Sequence, residues 1–176
     1  MKNEIYIAPL KFGNLSILKE IENRLKKLLW ERINFIQLGL DIESAYSEAR
    51  AQYFSTQIIA DASKLTGEIN GKIILITEAD LFVPVLTFVF GEAQLNGKHA
   101  IVSVCRLHEE FYSGTGNDEL LIKRTIKEIL HELGHCYGLK HCSNWDCVMH
   151  SSAAIEEVDI KGEFYCRHCR KLVVST

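Results

Sequence analysis

The sequence lacks the features that mark membrane-spanning and exported proteins. Its most apolar stretch, residues 73–90, is interrupted by Glu78, Asp80 and Pro84, so it does not supply the ~20 consecutive apolar residues that a membrane span needs. The first residues, Met1–Ile5, lead into a strand-like pattern and not into the long apolar stretch of a secretory signal. We therefore expect a cytoplasmic protein with no membrane partner.

A surplus of basic residues is also missing. Lys and Arg together number 20, against 23 Asp and Glu, which gives a formal net charge of -3. Binding to nucleic acid normally depends on clustered cations that neutralise phosphate groups. The charge balance therefore argues against a nucleic-acid partner.

Internal repeats, low-complexity tracts and linkers rich in Pro or Gly are absent as well. A chain of 176 residues has the length of one ordinary domain. Its 47% hydrophobic and 24% charged residues are typical of a globular fold. We expect a single catalytic domain over residues 1–176, and we take it to be a monomer.

Apolar periodicity in the first part predicts alternating strands and helices. Glu4–Pro9 and Ile33–Leu40 are predicted strands, and Lys72–Thr77 has the continuous apolar run of a buried strand. Between them, Leu15–Trp30 has helical spacing, and Ile42–Leu65 is predicted as a helix or a helical pair. The first part is thus β-α-β-α-β.

The pattern then changes to that of a hairpin. Leu86–Gln94 and His99–Arg106 are predicted strands, and Asn96-Gly97 between them is the pair that type I′ turns prefer. A short helix is predicted at Ser152–Val158. The expected class is α+β with an α/β-like N-terminal part, in which a mixed twisted sheet with an antiparallel edge hairpin packs on helices.

A long helix is predicted from Asn117 to about Tyr137, with Asn117 as its N-cap and Gly138 as the residue that ends it in a left-handed conformation. A step of 100° per residue separates its apolar stripe from two histidines one turn apart, His131 and His135. Because the pair lies opposite the stripe, its imidazoles must face solvent, a cleft or a metal ion.

Residues 131–135 form the pattern His-Glu-x-x-His, in which His131 and His135 can bind one Zn²⁺ and Glu132 can act on a water at the metal. Gly138 allows the chain to double back, so that His141 can supply a third nitrogen. Three ligands with a fourth position open are typical of catalytic zinc. The competing interpretation is a solvated helix with incidental histidines.

Cysteines in a chain expected inside the cell are more readily metal ligands than disulfides. Four of them form two close pairs that can enclose a second, structural Zn²⁺ with no open position. They are Cys142, Cys147, Cys166 and Cys169. Redox or disulfide pairs and a zinc-ribbon module are the alternatives. Cys105 and Cys136 are expected to be small buried hydrophobes. Surface positions are expected for His150 and His168, and the alternative is that either contacts the substrate or replaces a cysteine ligand.

The sequence from His131 to His141 resembles the signature of the metzincin metallopeptidases, His-Glu-x-x-His-x-x-Gly-x-x-His, at every fixed position. The resemblance implies that Met149 is the methionine of the Met-turn, an apolar floor under the metal site. The cysteine pattern is similar to that of the archaemetzincins, a metzincin branch with a second, four-cysteine zinc site. It implies an upper subdomain, 1–138, and a small zinc-bound lower subdomain, 139–176.

By the same resemblance, an extended peptide substrate binds antiparallel to an edge strand above the cleft. The predicted strand consists of Phe88, Val89, Phe90, Gly91, Glu92, Ala93 and Gln94. The Glu92 side chain is expected to be solvated.

The sequence therefore predicts a zinc-dependent peptidase with two Zn²⁺ ions per chain, a peptide or protein substrate, and Glu132 as general base and acid. The alternative is a zinc-stabilised binding or regulatory protein on the same scaffold. In that case a thiolate of Cys136 or Cys142 would block the open metal position.

Overall fold

The computed structural model describes residues 4–29 and 31–174; Met1–Asn3 and the predicted helix end at Trp30 lie outside the described residues. The strands are β1 (Glu4–Leu10), β2 (Arg32–Phe35), β3 (Tyr46–Ser47), β4 (Gln52–Phe54), β5 (Lys72–Thr77), β6 (Leu81–Phe82), β7 (Gly91–Ala93) and β8 (His99–Ser103). The helices are α1 (Leu15–Leu28), α2 (Ser55–Leu65), α3 (Glu110–Ser113), α4 (Asp118–Cys136), α5 (Ile155–Ile160) and α6 (Arg167–Val174).

A mixed five-stranded sheet in the order β2-β1-β5-β8-β7 organises the fold. The strands β2, β1, β5 and β8 are parallel, and β7 pairs with β8 in the antiparallel direction at the edge. The central strand β5 is almost entirely buried, as its continuous apolar run predicts. The predicted α+β class, with a mixed sheet packed on helices and an antiparallel edge hairpin, is confirmed.

Alternate side chains of β5 divide the core into two layers. Ile74 and Ile76 belong to the layer shared with α1 and α4, whereas Ile73 and Leu75 pack against α2 on the other face of the sheet. Within the first layer, α4 contacts both β7 and β8. The sheet therefore holds the histidine-bearing helix against its edge strand.

The helix α4 forms as predicted because both of its ends carry local signals. Asn117 accepts a hydrogen bond from the Leu120 amide at 3.0 Å, and Gly138 ends the helix with a φ of 88°. The helix is buried over most of its circumference, so His131 lies inside the protein and does not face solvent. Neither α4 nor any other helix among the described residues is both long and apolar enough to cross a membrane.

The predicted helix over Ile42–Leu65 is wrong in its first half. A 3₁₀ turn at Glu43–Ala45 and the strands β3 and β4 precede α2, and β3, β4 and β6 form a separate three-stranded sheet. Ala51 has a φ of 53°, a conformation that a right-handed helix excludes. Gln52 donates a hydrogen bond to Asp80 at 3.0 Å, so contacts with a later segment override the helical propensity of this stretch.

The hairpin is confirmed, but its strands are shorter than predicted and its turn is different. Residues 86–90 form an irregular segment, which Arg50 holds by donating to two of its carbonyl groups at 2.6 and 3.0 Å. The Gly97 amide donates to the Gln94 carbonyl at 2.8 Å, and of the Asn-Gly pair Asn96 alone has a positive φ, 54°. A type I′ turn needs positive φ at both residues, so this turn is of another type.

Further boundaries also differ from the predictions. The strand predicted over Ile33–Leu40 ends at Phe35. The Ile36 amide still donates to the Ile7 carbonyl of β1 at 3.0 Å, and the apolar side chains of Ile36, Leu38 and Leu40 pack against the second core layer. The helix predicted over Ser152–Val158 begins later, as α5. The sequence does not predict α6, whose eight residues are fewer than the roughly 11–18 over which an apolar period is normally detected.

Charged side chains of α4 bind the chain around the end of α5. Arg124 donates to both carboxylate oxygens of Asp159 at 2.7 Å, and Lys127 donates to three backbone carbonyls there at 2.8–2.9 Å. Lys161 lies 2.7 Å from the Glu128 carboxylate, and both side chains are almost fully buried. These contacts fix the C-terminal part of the chain against the histidine-bearing helix.

Candidate metal centre and catalytic cleft

Three histidine side chains converge at the C-terminal end of α4. The Nε2 atoms of His131 and His135 lie 3.1 Å apart, and the ring of His141 approaches both from the segment that follows the helix. One ligand nitrogen from each residue lies within 4.8 Å of the other two. Zn–N distances of about 2.0–2.1 Å place tetrahedral ligands roughly 3.3 Å apart, so the set fits one zinc ion.

Backbone carbonyls fix the tautomers of two of these rings. His131 Nδ1 lies 2.8 Å from the carbonyl oxygen of Val148, and His135 Nδ1 lies 2.7 Å from that of Leu139. A carbonyl oxygen only accepts, so each Nδ1 carries a proton and each Nε2 presents a lone pair. Two lone pairs that face each other at 3.1 Å repel unless a cation lies between them. Metal-binding histidines have this arrangement.

The surroundings of the three histidines disfavour the charged imidazolium form, most strongly at the buried His131. Burial lowers the pKa of His131 well below the usual value, and the ammonium group of Lys161 lowers it further. The pKa values of His135 and His141 are also lowered, mainly by burial. Neutral imidazole is the form that binds a metal, so the surroundings favour a metal ion over a proton.

Glu132 lies beside the histidines in the same cleft and is only 5% exposed. Burial raises the pKa of its carboxyl group well above the usual value; the carboxylate of Glu128 raises it further, and Lys161 acts in the opposite direction. A carboxyl group with a raised pKa accepts a proton more readily than an ordinary carboxyl group does. These are the requirements for a general base that later acts as an acid.

Met149 packs against α4 where the helix has a glycine. The side chain of Met149 is fully buried, and a methyl group at Gly134 would collide with its Sδ atom. Gly134 occupies a variable position of the His-Glu-x-x-His pattern, so nothing in that pattern singles it out. The contact shows that a glycine is needed there for the methionine to approach the helix between its two histidines.

The cysteines near the C-terminus converge on a second centre. One Sγ atom from each of Cys142, Cys147, Cys166 and Cys169 lies within 4.8 Å of the others, and all four are free thiols. Zn–S bonds of about 2.3 Å place the sulfurs of a tetrahedral site roughly 3.8 Å apart, close to the 4.0 Å between Cys142 and Cys166. Backbone hydrogen bonds, first of all at Cys169, lower the pKa of Cys166 to about 7, which favours its thiolate, whereas burial raises the pKa of Cys147 and of Cys169.

A cleft of about 890 Å³ runs along the histidine centre. It is lined by residues 86–93, by the α4 residues Glu128, His131, Glu132 and His135, and by residues 151–153. Phe88 to Ala93 of the predicted edge strand line this cleft, whereas Gln94 turns into the hairpin end, where its Oε1 accepts from the His99 amide at 3.2 Å. The cleft thus presents the edge strand, Glu132 and the histidines on one surface.

Glu92 is not the solvated side chain that the sequence predicts. Its carboxylate accepts a hydrogen bond from Thr56 Oγ1 at 2.8 Å and lies 2.5 Å from Ser55 Oγ. Ser55 and Thr56 begin α2, where a negative charge is favourable. Glu92 therefore anchors the edge strand to α2, on the sheet face opposite the one that contacts α4.

Three charged residues near the histidine centre are not predicted from the sequence. Glu128 and Lys140 line the cleft, and Lys161 contributes to the lowered pKa values of all three histidines. Glu128 precedes Glu132 by one helical turn, so the spacing of the two acids is a signal that could have revealed it. Lys161 comes from another segment, and only the tertiary fold brings it here.

Four residues with no catalytic assignment have distinct surroundings. Cys136 is buried, as expected, and Cys105 is half-buried. The ring of His150 stacks on Trp145 with 3.8 Å between centroids, and His168 is exposed on α6. None of these side chains lines the cleft.

The fold and the two ligand clusters define a metallopeptidase whose histidine centre lies on a helix beneath an edge strand. The chain belongs to peptidase family M54, which matches residues 15–174. It is 37% identical over 169 residues to an archaemetzincin of Archaeoglobus fulgidus, a match that covers 94% of this chain and 96% of that protein. An archaemetzincin of Methanopyrus kandleri is 34% identical over 165 residues, with 92% and 90% covered.

Solved structures share the fold. The crystal structure of the archaemetzincin from Archaeoglobus fulgidus matches with a TM-score of 0.81 and 33% identity, over 96% of this chain and 99% of that one. A zinc-dependent peptidase from Methanocorpusculum labreanum matches with a TM-score of 0.86 and 28% identity, over 96% and 99%. The resemblance to the archaemetzincins is confirmed, and the protein is a zinc-dependent metallopeptidase.

Proposed function

We propose that His131, His135 and His141 hold the catalytic zinc ion and that Glu132 is the general base and acid of peptide-bond hydrolysis. The proposal rests on one observation. The Nε2 lone pairs of His131 and His135 point toward each other, and the buried carboxyl group of Glu132 lines the same open cleft. When bound, zinc lowers the pKa of a water molecule and polarises a peptide carbonyl. Glu132 accepts the proton of the attacking water and passes it to the leaving amine.

The edge strand β7 is proposed to bind the substrate backbone. The Ser103 amide donates to the Phe90 carbonyl at 2.8 Å, and this bond sets the alternation of the antiparallel ladder. Glu92 therefore directs its backbone groups toward β8, whereas Gly91 and Ala93 direct theirs away from it. Because β7 ends the sheet, these outward groups can pair with an extended peptide beside the histidine centre.

A second, structural zinc ion is proposed for the four-cysteine cluster, which would give two Zn²⁺ per chain. Cys142 follows His141 directly, and Cys147 lies close to Met149 in the chain. An ion in this cluster would therefore hold the lower subdomain, 139–176, against the upper subdomain, 1–138. Four thiolates leave no open position, so its role would be structural.

For the setting of the reaction, we propose a cytoplasmic monomer that cleaves peptides or proteins and has no nucleic-acid partner. The free thiols and the net charge of -3 support this assignment. The alternative of a blocked, regulatory site has less support. Cys136 is buried in the core and does not line the cleft, and Cys142 belongs to the cysteine cluster.

The variant Glu132→Gln tests the proposed base. We expect it to keep its zinc content and melting temperature while cleavage of a peptide library falls by about 10²–10⁴-fold, because the base is not a ligand. Glu156→Gln, which changes an exposed acid of α5 outside the cleft, should retain full cleavage. Full activity of Glu132→Gln would show that another group accepts the proton.

A further inference from the structure

We propose that Gly91 is a positioning residue for Glu132: the absence of a side chain at this place in the edge strand lets the catalytic carboxylate lie directly against the strand that binds the substrate. The inference rests on the function proposed above for Glu132 and β7. The inference adds a steric requirement, namely that the residue packed against Glu132 has no side chain.

Space, and not backbone conformation, is the reason for a glycine at this position. A methyl group on Gly91 would lie 2.7 Å from Glu132 Oε1, 2.8 Å from Glu132 Cγ and 2.8 Å from the carbonyl oxygen of Ile101. Such atoms normally approach to about 3.5–4.0 Å. Gly91 does not have the positive φ seen at Gly71, so its backbone conformation would accept an alanine.

The edge strand is held in place from its other face, so it has little freedom to retreat. Thr56 donates to the Glu92 carboxylate at 2.8 Å, next to a 2.5 Å contact of the same carboxylate with Ser55. Within the sheet, the Ser103 amide of β8 donates a hydrogen bond to the carbonyl of Phe90, the residue before β7. The Glu132 side chain is the most adjustable group at the contact, and an added methyl group would displace its carboxylate.

Displacement of the Glu132 carboxylate should slow peptide hydrolysis. The outward backbone groups of Gly91 fix the substrate peptide, and the same residue sets how close Glu132 lies to that peptide. A misplacement of about 1 Å in an active site can lower the rate by about 10²-fold. Gly91 would thus set the distance between the proton acceptor and the bound peptide while making no chemical contribution itself.

Kinetics of Gly91→Ala on a peptide that the wild type cleaves test the proposal. We expect kcat to fall by about 10–100-fold, KM to stay within about threefold, and the zinc content to be unchanged. Gly39→Ala is the matched control, because a methyl group there meets no atom within 4 Å. Wild-type kcat in Gly91→Ala would overturn the proposal.

A shorter catalytic side chain should relieve the conflict. Glu132→Asp withdraws the carboxylate by one methylene, so adding Gly91→Ala to Glu132→Asp should lower kcat by less than about threefold. If Gly91→Ala lowered kcat equally in the wild type and in the Glu132→Asp variant, the methyl group would act on the strand through Ile101, and the proposal would then be wrong.

Thermal stability gives a readout that does not depend on turnover. Gly91→Ala should lower the melting temperature of the zinc-loaded protein, and the loss should be smaller when Glu132→Ala has removed the obstructing side chain. The same loss in both backgrounds would contradict the proposed contact. If Glu132→Gln is inactive but Gly91→Ala is fully active, only this inference fails; if Glu132→Gln is active, the proposed function fails first.

Discussion

His131 Nδ1 lies 2.8 Å from the carbonyl oxygen of Val148, and Val148 stands between Cys147 and Met149. The group that orients a histidine of the proposed catalytic centre therefore belongs to the segment that the cysteine cluster holds. The Cys142 amide also donates to the Met149 carbonyl at 2.9 Å. These bonds connect the two centres through a few residues of backbone.

Loss of the cysteine cluster should therefore weaken the histidine centre. We predict that Cys166→Ser loses about one equivalent of zinc, melts at a lower temperature and binds the remaining zinc about 10–100-fold more weakly, because the Val148 carbonyl is no longer held. Zinc content after equilibration with graded concentrations of chelator, together with calorimetry, measures all three effects.

The matched control for this prediction is Cys105→Ser. Cys105 is half-buried and lies outside both ligand clusters, so its replacement should leave zinc content and chelator resistance unchanged. If Cys166→Ser retained both metal equivalents with wild-type affinity, the proposed structural zinc and its connection to His131 would both be contradicted.

Removing one partner of the buried ion pair between Lys161 and Glu128 should destabilise the fold, because the remaining charge would be buried without a partner. Their side chains are 0% and 4% exposed, with 2.7 Å between Nζ and Oε1. We predict that Lys161→Met lowers the free energy of unfolding by about 3–5 kcal/mol, because the Glu128 carboxylate would remain buried without a counter-charge. Urea unfolding of the zinc-loaded protein measures the change.

A second replacement distinguishes this cause from poor packing. Glu128→Leu combined with Lys161→Met removes both charges, and most of the lost stability should return. A single-variant cost below about 1 kcal/mol, as exposed pairs show, would mean that water reaches the pair.

The catalytic helix could be predicted from the sequence because its determinants are local. Asn117 and Gly138 mark its ends, and the spacing of His131 and His135 places two imidazoles on one side of it. The family signature then extends to His141. These signals act over a few residues and do not depend on the rest of the fold.

Other parts of the site depend on contacts that no local pattern contains. The helix predicted through Ala51 fails because a turn there is stabilised by residues from later segments. Glu92 contacts hydroxyl groups of α2, and Lys161, which follows α5, pairs with Glu128 and lowers the pKa of His131 through its charge. Their positions follow from the tertiary arrangement, so sequence periodicity could not reveal them.

His99 provides a pH-dependent contribution to stability away from the metal centre. The residue is 4% exposed at the start of β8, and burial lowers its pKa below the usual value, with Lys98 lowering it further. As the pH falls through about 6.5, the unfolded chain binds a proton that the folded protein resists. His99 therefore stabilises the fold above this pH, and its contribution is lost as the pH falls toward the lowered pKa.

We predict that the wild type loses stability relative to His99→Asn when the pH is lowered from 8 to 5, by at most about 1.4 kcal/mol per pH unit, because the variant has no proton to bind at this position. Unfolding free energies of both proteins, measured in parallel across that range, give the difference directly, since proton uptake at the metal ligands affects both alike. Parallel curves would show that His99 titrates equally in the folded and unfolded states, and that its burial does not lower its pKa.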